Sequence, residues 1–211
     1  MFVSEHFPLA YHLAVNMGTK GNDAAVWDRR LADHWDDMEW PTKVSLISGR
    51  VGLDDQVLDI ACGTGSILRE LQKQGYKNLH GLDSSNYALE RLSAEGLQMH
   101  RGKLPDLPFQ NETFDVVIAS QILEHVIRRK KFAREMVRVL KPGGTAFIFV
   151  PNDSLGPIEE RSHVIKYNEK TFAAFISSFF EILSLEVLKD PNYENTVLSA
   201  VVRKSAQGGQ N

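Results

Sequence analysis

From Gln56 onward, short apolar runs alternate with amphipathic segments, and this texture predicts the fold before any motif is considered. Val57–Ala61, Leu79–Asp83 and Phe114–Ser120 read as strands. The last is apolar at nearly every position, as a central parallel strand covered on both faces should be. Between them, Ser66–Gln74 (closing near Gly75) and Asn86–Ala94 predict helices, and Gln98–Arg101 predicts a weaker third strand. Arg128–Leu140 predicts a helix stopped by a turn at Pro142-Gly143-Gly144, with Lys141 placed at its C-terminal dipole. Thr145–Val150 is a fifth strand, Asn168–Phe179 a helix, and Ile182–Lys189 and Thr196–Arg203 a closing strand pair around Pro191-Asn192. Regular alternation of strand and helix implies an α/β, doubly wound, Rossmann-like domain. Its sheet would be seven-stranded and mostly parallel, with one antiparallel strand and helices on both faces.

The first fifty residues have a different texture. Trp27, Trp35 and Trp40 fall close together without forming a clean helical stripe. Residues 1–50 are read as a helical cap or lid of the same domain, 51–205 as the α/β domain proper, and 206–211 as a disordered tail. A chain of 211 residues suits such a single unit. The tryptophans are expected to be core beneath the cap, or in part to line a pocket.

Composition narrows the function classes. A formal net charge of -3 gives no electrostatic footprint for nucleic acid, and Arg128–Lys131 reads as the solvated face of a helix. A lone cysteine, Cys62, excludes an internal disulfide and a cysteine-built zinc site. No apolar run approaches the roughly 20 residues that span a bilayer. Met1–Ala14 lacks the basic start and apolar stretch of a signal peptide, so a cytoplasmic protein without a membrane span is expected.

The strongest chemical signal is Val57-Leu58-Asp59-Ile60-Ala61-Cys62-Gly63-Thr64-Gly65, a strand running into a glycine-rich turn and then a helix. Gly63 and Gly65 permit positive φ and close approach of a ligand to the backbone, and the helix start offers free amides. Eighteen positions beyond Gly65 stands Asp83, at the end of the next strand, where a carboxylate can accept from both hydroxyls of a ribose. A dinucleotide site would carry a third glycine where this chain has Leu68. Asp59 before the turn would repel a pyrophosphate and favour a cationic ligand, such as the amino and sulfonium groups of S-adenosylmethionine.

Asp59-x-x-Cys62-Gly63-Thr64-Gly65, the Gly81–Ser85 strand end, Gly102–Phe109 followed by Phe114–Val117, Leu123–Val126 and Arg138–Gly144 resemble class I S-adenosylmethionine-dependent methyltransferases, in the family's order over about residues 55 to 151. Val150-Pro151-Asn152, His163 and Tyr167–Phe172 resemble the branch of small-molecule methyltransferases that includes the ubiquinone pathway. The resemblance implies that Asp59 receives the methionine amino group, that the backbone at Ala61, Gly63 and Gly65 packs against the cofactor, and that Asp83 holds the ribose. It places the Leu104 amide at the adenine edge and Ser120–Gln121 at the methionine end, and makes Lys43 a candidate basic residue near the cofactor.

Two positions depart from the family pattern. Ser84 stands where a large apolar residue usually stacks on adenine, and Lys103 where an acid usually accepts from the adenine amine, with Asp106 as a conceivable substitute. His125 is read as fixing the loop after the fourth strand. His163, in the irregular stretch after the fifth, is the candidate catalytic base, since a histidine takes a proton from a hydroxyl near neutral pH. The expected activity is methyl transfer to a small-molecule acceptor, at oxygen, with no metal. The competing reading is a catalytically silent S-adenosylmethionine-binding subunit acting through a protein partner.

Overall fold

The computed structural model describes residues 24–35, 39–152, 163–191 and 196–204. The expected disordered tail and parts of the cap lie outside them. Two helices precede the sheet, α1 (Ala24–Asp33) and α2 (Pro41–Ser48). Then follow β1 (Val57–Ile60), α3 (Ser66–Lys73), β2 (Leu79–Asp83), α4 (Asn86–Ala94), β3 (Gln98–Arg101) and β4 (Phe114–Ser120). A 3₁₀ turn at Leu123–His125 leads to α5 (Arg129–Val139), β5 (Leu140–Pro151), α6 (Glu169–Ile176), β6 (Phe180–Lys189) and β7 (Thr196–Lys204).

The seven strands form one sheet in the order β3-β2-β1-β4-β5-β7-β6. All neighbours pair in parallel except β7, which is antiparallel to both β5 and β6. This is the expected Rossmann-like architecture with its one antiparallel strand. Side chains alternate across each strand, so the sheet carries a core on either face. On one face Phe114, Val117 and Ala119 of β4 and Ala146, Ile148 and Val150 of β5 pack with Phe132 and Met136 of α5 and Phe172 of α6. On the other face Val116, Ile118, Phe147 and Phe149 meet Ile47 of α2, Leu68 and Leu71 of α3 and Leu92 of α4. Among the described residues no helix is long and apolar enough to cross a membrane.

Three local expectations need correction. Pro142-Gly143-Gly144 is not a free turn after a helix, because β5 already starts at Leu140, which pairs with Phe114. The triplet is an irregularity inside the strand, between that pair and Val116↔Thr145. Gly144 sits so close to its neighbours that a Cβ there would lie 2.9 Å from the Lys141 carbonyl oxygen and 3.0 Å from that of Asp115. Lys141 does not serve the helix dipole; its ammonium reaches the Asp115 carboxylate at 2.7 Å. The last helix also stops at Ile176 rather than Phe179. Its start is held by a capping box, in which Asn168 Oδ1 accepts from the Thr171 amide and Thr171 Oγ1 accepts from the Asn168 amide.

At the far edge of the sheet, His80 Nδ1 and His100 Nε2 lie 3.1 Å apart, and His80 Nε2 is 3.1 Å from Gln56 Oε1. Phe109 and Phe114 pack edge-on against these rings. Two rings in N···N contact accommodate one bridging proton, and a second adds like charge. Burial lowers the pKa of both from 6.5, and His100 lowers that of His80 further. The unfolded chain therefore takes up protons before the folded one does. The contribution of this pair to stability is complete above pH 6.5 and is lost as pH falls through the lowered values. Relative to His100→Gln, the wild type should lose melting temperature as pH falls from 7.5 to 5.5. Equal pH dependence in both proteins would refute this account.

Candidate active site

The strand order reverses between β1 and β4, because the chain runs outward through β2 and β3 before returning to β4. Open α/β sheets bind ligands at such a switch point, beyond the carboxyl ends of the strands. A cleft of about 360 Å³ opens there. Its floor is Asp59, Ala61, Cys62, Gly63 and Thr64, from the end of β1 and the following turn. Ser120 and Gln121 from the end of β4, with Glu124, His125 and His163, form one wall. Trp27, Arg30 and Leu31 of α1, with His34 and Trp40, complete the lining.

The turn after β1 is built on left-handed residues, with φ of 55° at Ala61, 54° at Gly63 and 67° at Gly65. Gly65 is required by close approach, since a Cβ there would lie 2.6 Å from Leu92 Cδ2. Gly63 differs. A Cβ there would point into open space, with only the Leu31 methyl at 3.6 Å. Asp83 holds the turn from behind, accepting from the Gly63 amide at 2.9 Å and the Ser85 amide at 2.8 Å. Ser85 caps α4 by accepting from the Ala88 amide, and its hydroxyl donates to Asp28 of α1. Asp28 also accepts from the Tyr87 amide. The cap helix is thus tied beside Asp83.

Asp59 is buried, and its carboxyl is pushed up to about 8 by desolvation and by Asp83, against the opposing pull of Lys43. Lys43 is itself 1% exposed. Its ammonium donates to Ser120 Oγ at 3.1 Å and sits over the Trp40 ring, 3.2 Å from the centroid. Desolvation lowers its pKa to about 7, opposed by Asp190, Glu124 and Asp59. A ligand ammonium or sulfonium placed over this floor would draw the Asp59 carboxyl back into its charged form.

Of the residues singled out from the sequence, Asp59, Ala61, Gly63, Ser120, Gln121 and His163 converge on the cleft. Lys43, Asp83 and Gly65 support it through the bonds and contacts above. Ser84, Lys103 and Leu104 do not join its lining. Lys103 is exposed, Leu104 packs partly against the core, and Asp106 is ion-paired with Lys131. Two of the three tryptophans, Trp27 and Trp40, line the cleft, while Trp35 packs edge-on against Tyr87. Sequence reasoning missed Arg30 and His34 of the cap, and Glu124 and His125 as lining residues. The Glu-His pair directly after the C-terminal end of a central strand was the signal that could have found the latter two.

Residues 58–148 match the family described as methyltransferase domain. Over this segment the chain is similar to class I S-adenosylmethionine-dependent methyltransferases. It is 31% identical over 170 residues to a sterol 24-C-methyltransferase of Gibberella zeae, an alignment covering 68% of this chain and 44% of that protein. It is 37% identical over 113 residues to the ubiquinone/menaquinone biosynthesis C-methyltransferase of Ruegeria sp., covering 47% of this chain and 45% of that protein. The chain thus spans less than half the length of these curated relatives. Among solved structures, a methyltransferase from Methanosarcina mazei aligns with a TM-score of 0.62 at 19% identity, over 75% of this chain and 96% of the other. The [4+2]-cyclase SpnF aligns with 0.64 at 19% identity, over 79% and 80%. The fold is therefore shared with a protein named for a different reaction, and the chemistry has to be argued from the site.

Proposed function

We propose that the protein transfers a methyl group from S-adenosylmethionine to an oxygen of a small hydroxylated acceptor held in the cleft. The observation that carries this reading is the meeting, in one cleft, of the Asp59–Gly63 floor with the polar wall of Glu124, His125 and His163. Bound S-adenosylmethionine supplies a methyl group on a positively charged sulfur. Asp59 receives its amino group, Asp83 its ribose hydroxyls, and the turn at Ala61–Gly65 lies along its length. Lys43, through Ser120, fixes the end of β4 against the methionine moiety.

Alignment of the acceptor with the methyl carbon supplies most of the acceleration. The acceptor oxygen forms its bond to carbon as the carbon–sulfur bond breaks, with the bonding pair left on sulfur. The acceptor proton has to leave, and His163 is our candidate for promoting that loss. The rings of Trp27 and Trp40 offer apolar faces that exclude water from the acceptor.

The test is incubation with S-adenosylmethionine labelled in its methyl group and two probe acceptors, catechol and hydroquinone, with the site of methylation read by mass spectrometry and NMR. Label on oxygen supports the proposal. Label on ring carbon would overturn the oxygen assignment, in line with the C-methyltransferase names of the relatives. Tight S-adenosylhomocysteine binding without transfer to either probe would favour the silent-subunit reading instead.

A further inference from the structure

We propose that Glu124, His125 and His163 form a binding site for one divalent transition-metal ion, open toward the acceptor end of the cleft. Each residue offers one donor atom, and the three atoms lie within 4.8 Å of one another. Two imidazoles and one carboxylate are the ligand set of catalytic zinc sites and of open facial iron sites. Metal–ligand bonds of about 2.0–2.1 Å in tetrahedral array put neighbouring donors roughly 3.4 Å apart. Closure of the donor separations by up to about 1.4 Å completes the site.

The scaffold is rigid. The Glu124 carbonyl accepts from the amides of Val164 at 2.8 Å and Ile165 at 3.3 Å, so the segment carrying His163 is tied to the turn carrying Glu124 and His125. The His125 and His163 rings meet edge-on at 4.8 Å, and Trp27 packs edge-on against His125 at 5.8 Å. Glu124 and His163 are buried, whereas His125 is partly exposed, which leaves one side of the triad facing the cleft.

Gln121, on the same wall, adds an independent sign of a polar occupant. It is a non-glycine residue at φ 55°, and its Nε2 is buried without a hydrogen-bond partner among the described residues. Left-handed strain in a non-glycine residue collects at functional sites.

The ion deepens the methyl-transfer reading and rests on it only for what the ion activates. A hydroxyl bound to the open position loses its proton more readily, as metal-bound water does. His163 then promotes that loss as a ligand and takes no proton itself; the proton passes to solvent at the open side of the cleft, and the oxygen attacks the methyl carbon as the carbon–sulfur bond breaks.

The test uses the full chain, stripped with chelator and titrated with Co²⁺ followed by visible absorption, and with Zn²⁺ followed by calorimetry. One equivalent should bind, with the Co²⁺ bands of a low-coordinate nitrogen/oxygen site. Glu124→Gln and His163→Ala should each weaken binding by about a hundredfold or more, since even the loss of an outer-shell partner costs about 10–100-fold. His100→Gln, which removes the other histidine pair, should leave binding unchanged. S-adenosylhomocysteine affinity, measured on the same variants, reports whether the domain is intact, and it can hold while metal binding fails. Absence of binding by the wild type, or equal binding by Glu124→Gln and His163→Ala, would overturn the metal site and leave the methyl-transfer proposal standing.

Discussion

Gly63→Val is expected to abolish S-adenosylhomocysteine binding while leaving the protein folded. Gly63 lines the cleft floor at φ 54°, and its missing Cβ faces open space with only Leu31 Cδ2 at 3.6 Å. The Cβ of a valine would therefore meet only the Leu31 methyl at ordinary contact distance, while its two methyl groups would fill volume that the cofactor must occupy. Left-handed backbone costs a β-branched residue about 1–2 kcal/mol, a loss a folded domain of this size tolerates. Gly65→Ala makes the contrast. Its Cβ would strike Leu92 at 2.6 Å, so its first effect falls on packing and melting temperature. Calorimetry with S-adenosylhomocysteine and a thermal melt on each variant separate the two. Normal binding by Gly63→Val would show that the ligand does not lie over the turn, and no binding by the wild type would remove the functional sense of the family assignment.

The difference between these two glycines marks how far the sequence could be read. The strand-turn-helix at Val57–Gly65 and the acid at the end of the next strand were legible because local backbone chemistry dictates them. Glycine spacing, apolar runs and a carboxylate at a strand end are all short-range patterns. The parallel character of the sheet followed from the alternation of strand and helix, whereas the strand order, which places the cleft, emerges only in the fold. What was not legible arises between segments far apart in the chain. Asp28 bonds Ser85 across 57 residues, and Lys43 reaches Ser120 across 77. Glu124 and His163 converge because backbone amides at Val164 and Ile165 return to the Glu124 carbonyl. No periodicity encodes such meetings. Pro142-Gly143-Gly144 misled for the opposite reason. Its residue types are those of a turn, but pairing of Leu140 with Phe114 draws the triplet into the strand.

Asp83→Ala should weaken S-adenosylhomocysteine binding by about a hundredfold. The Asp83 carboxylate is 9% exposed, and each of its oxygens already accepts one backbone amide, from Gly63 at 2.9 Å and Ser85 at 2.8 Å. A carboxylate oxygen has more than one lone pair, so capacity remains on both for the ribose hydroxyls. Losing one charge-assisted hydrogen bond costs about 1.5–3 kcal/mol, which is roughly tenfold to a hundredfold in affinity. The upper end applies because the same substitution frees the Gly63 amide and loosens the turn that cradles the ligand. Asp83→Asn separates the contributions, since its side chain keeps one oxygen to accept from Gly63 but loses the charge. Its affinity should fall between those of the wild type and Asp83→Ala, with a smaller loss of melting temperature than in the alanine variant. If Asp83→Ala lowers the melting temperature but leaves the affinity unchanged, Asp83 serves only to brace the turn, and the ribose lies elsewhere in the cleft.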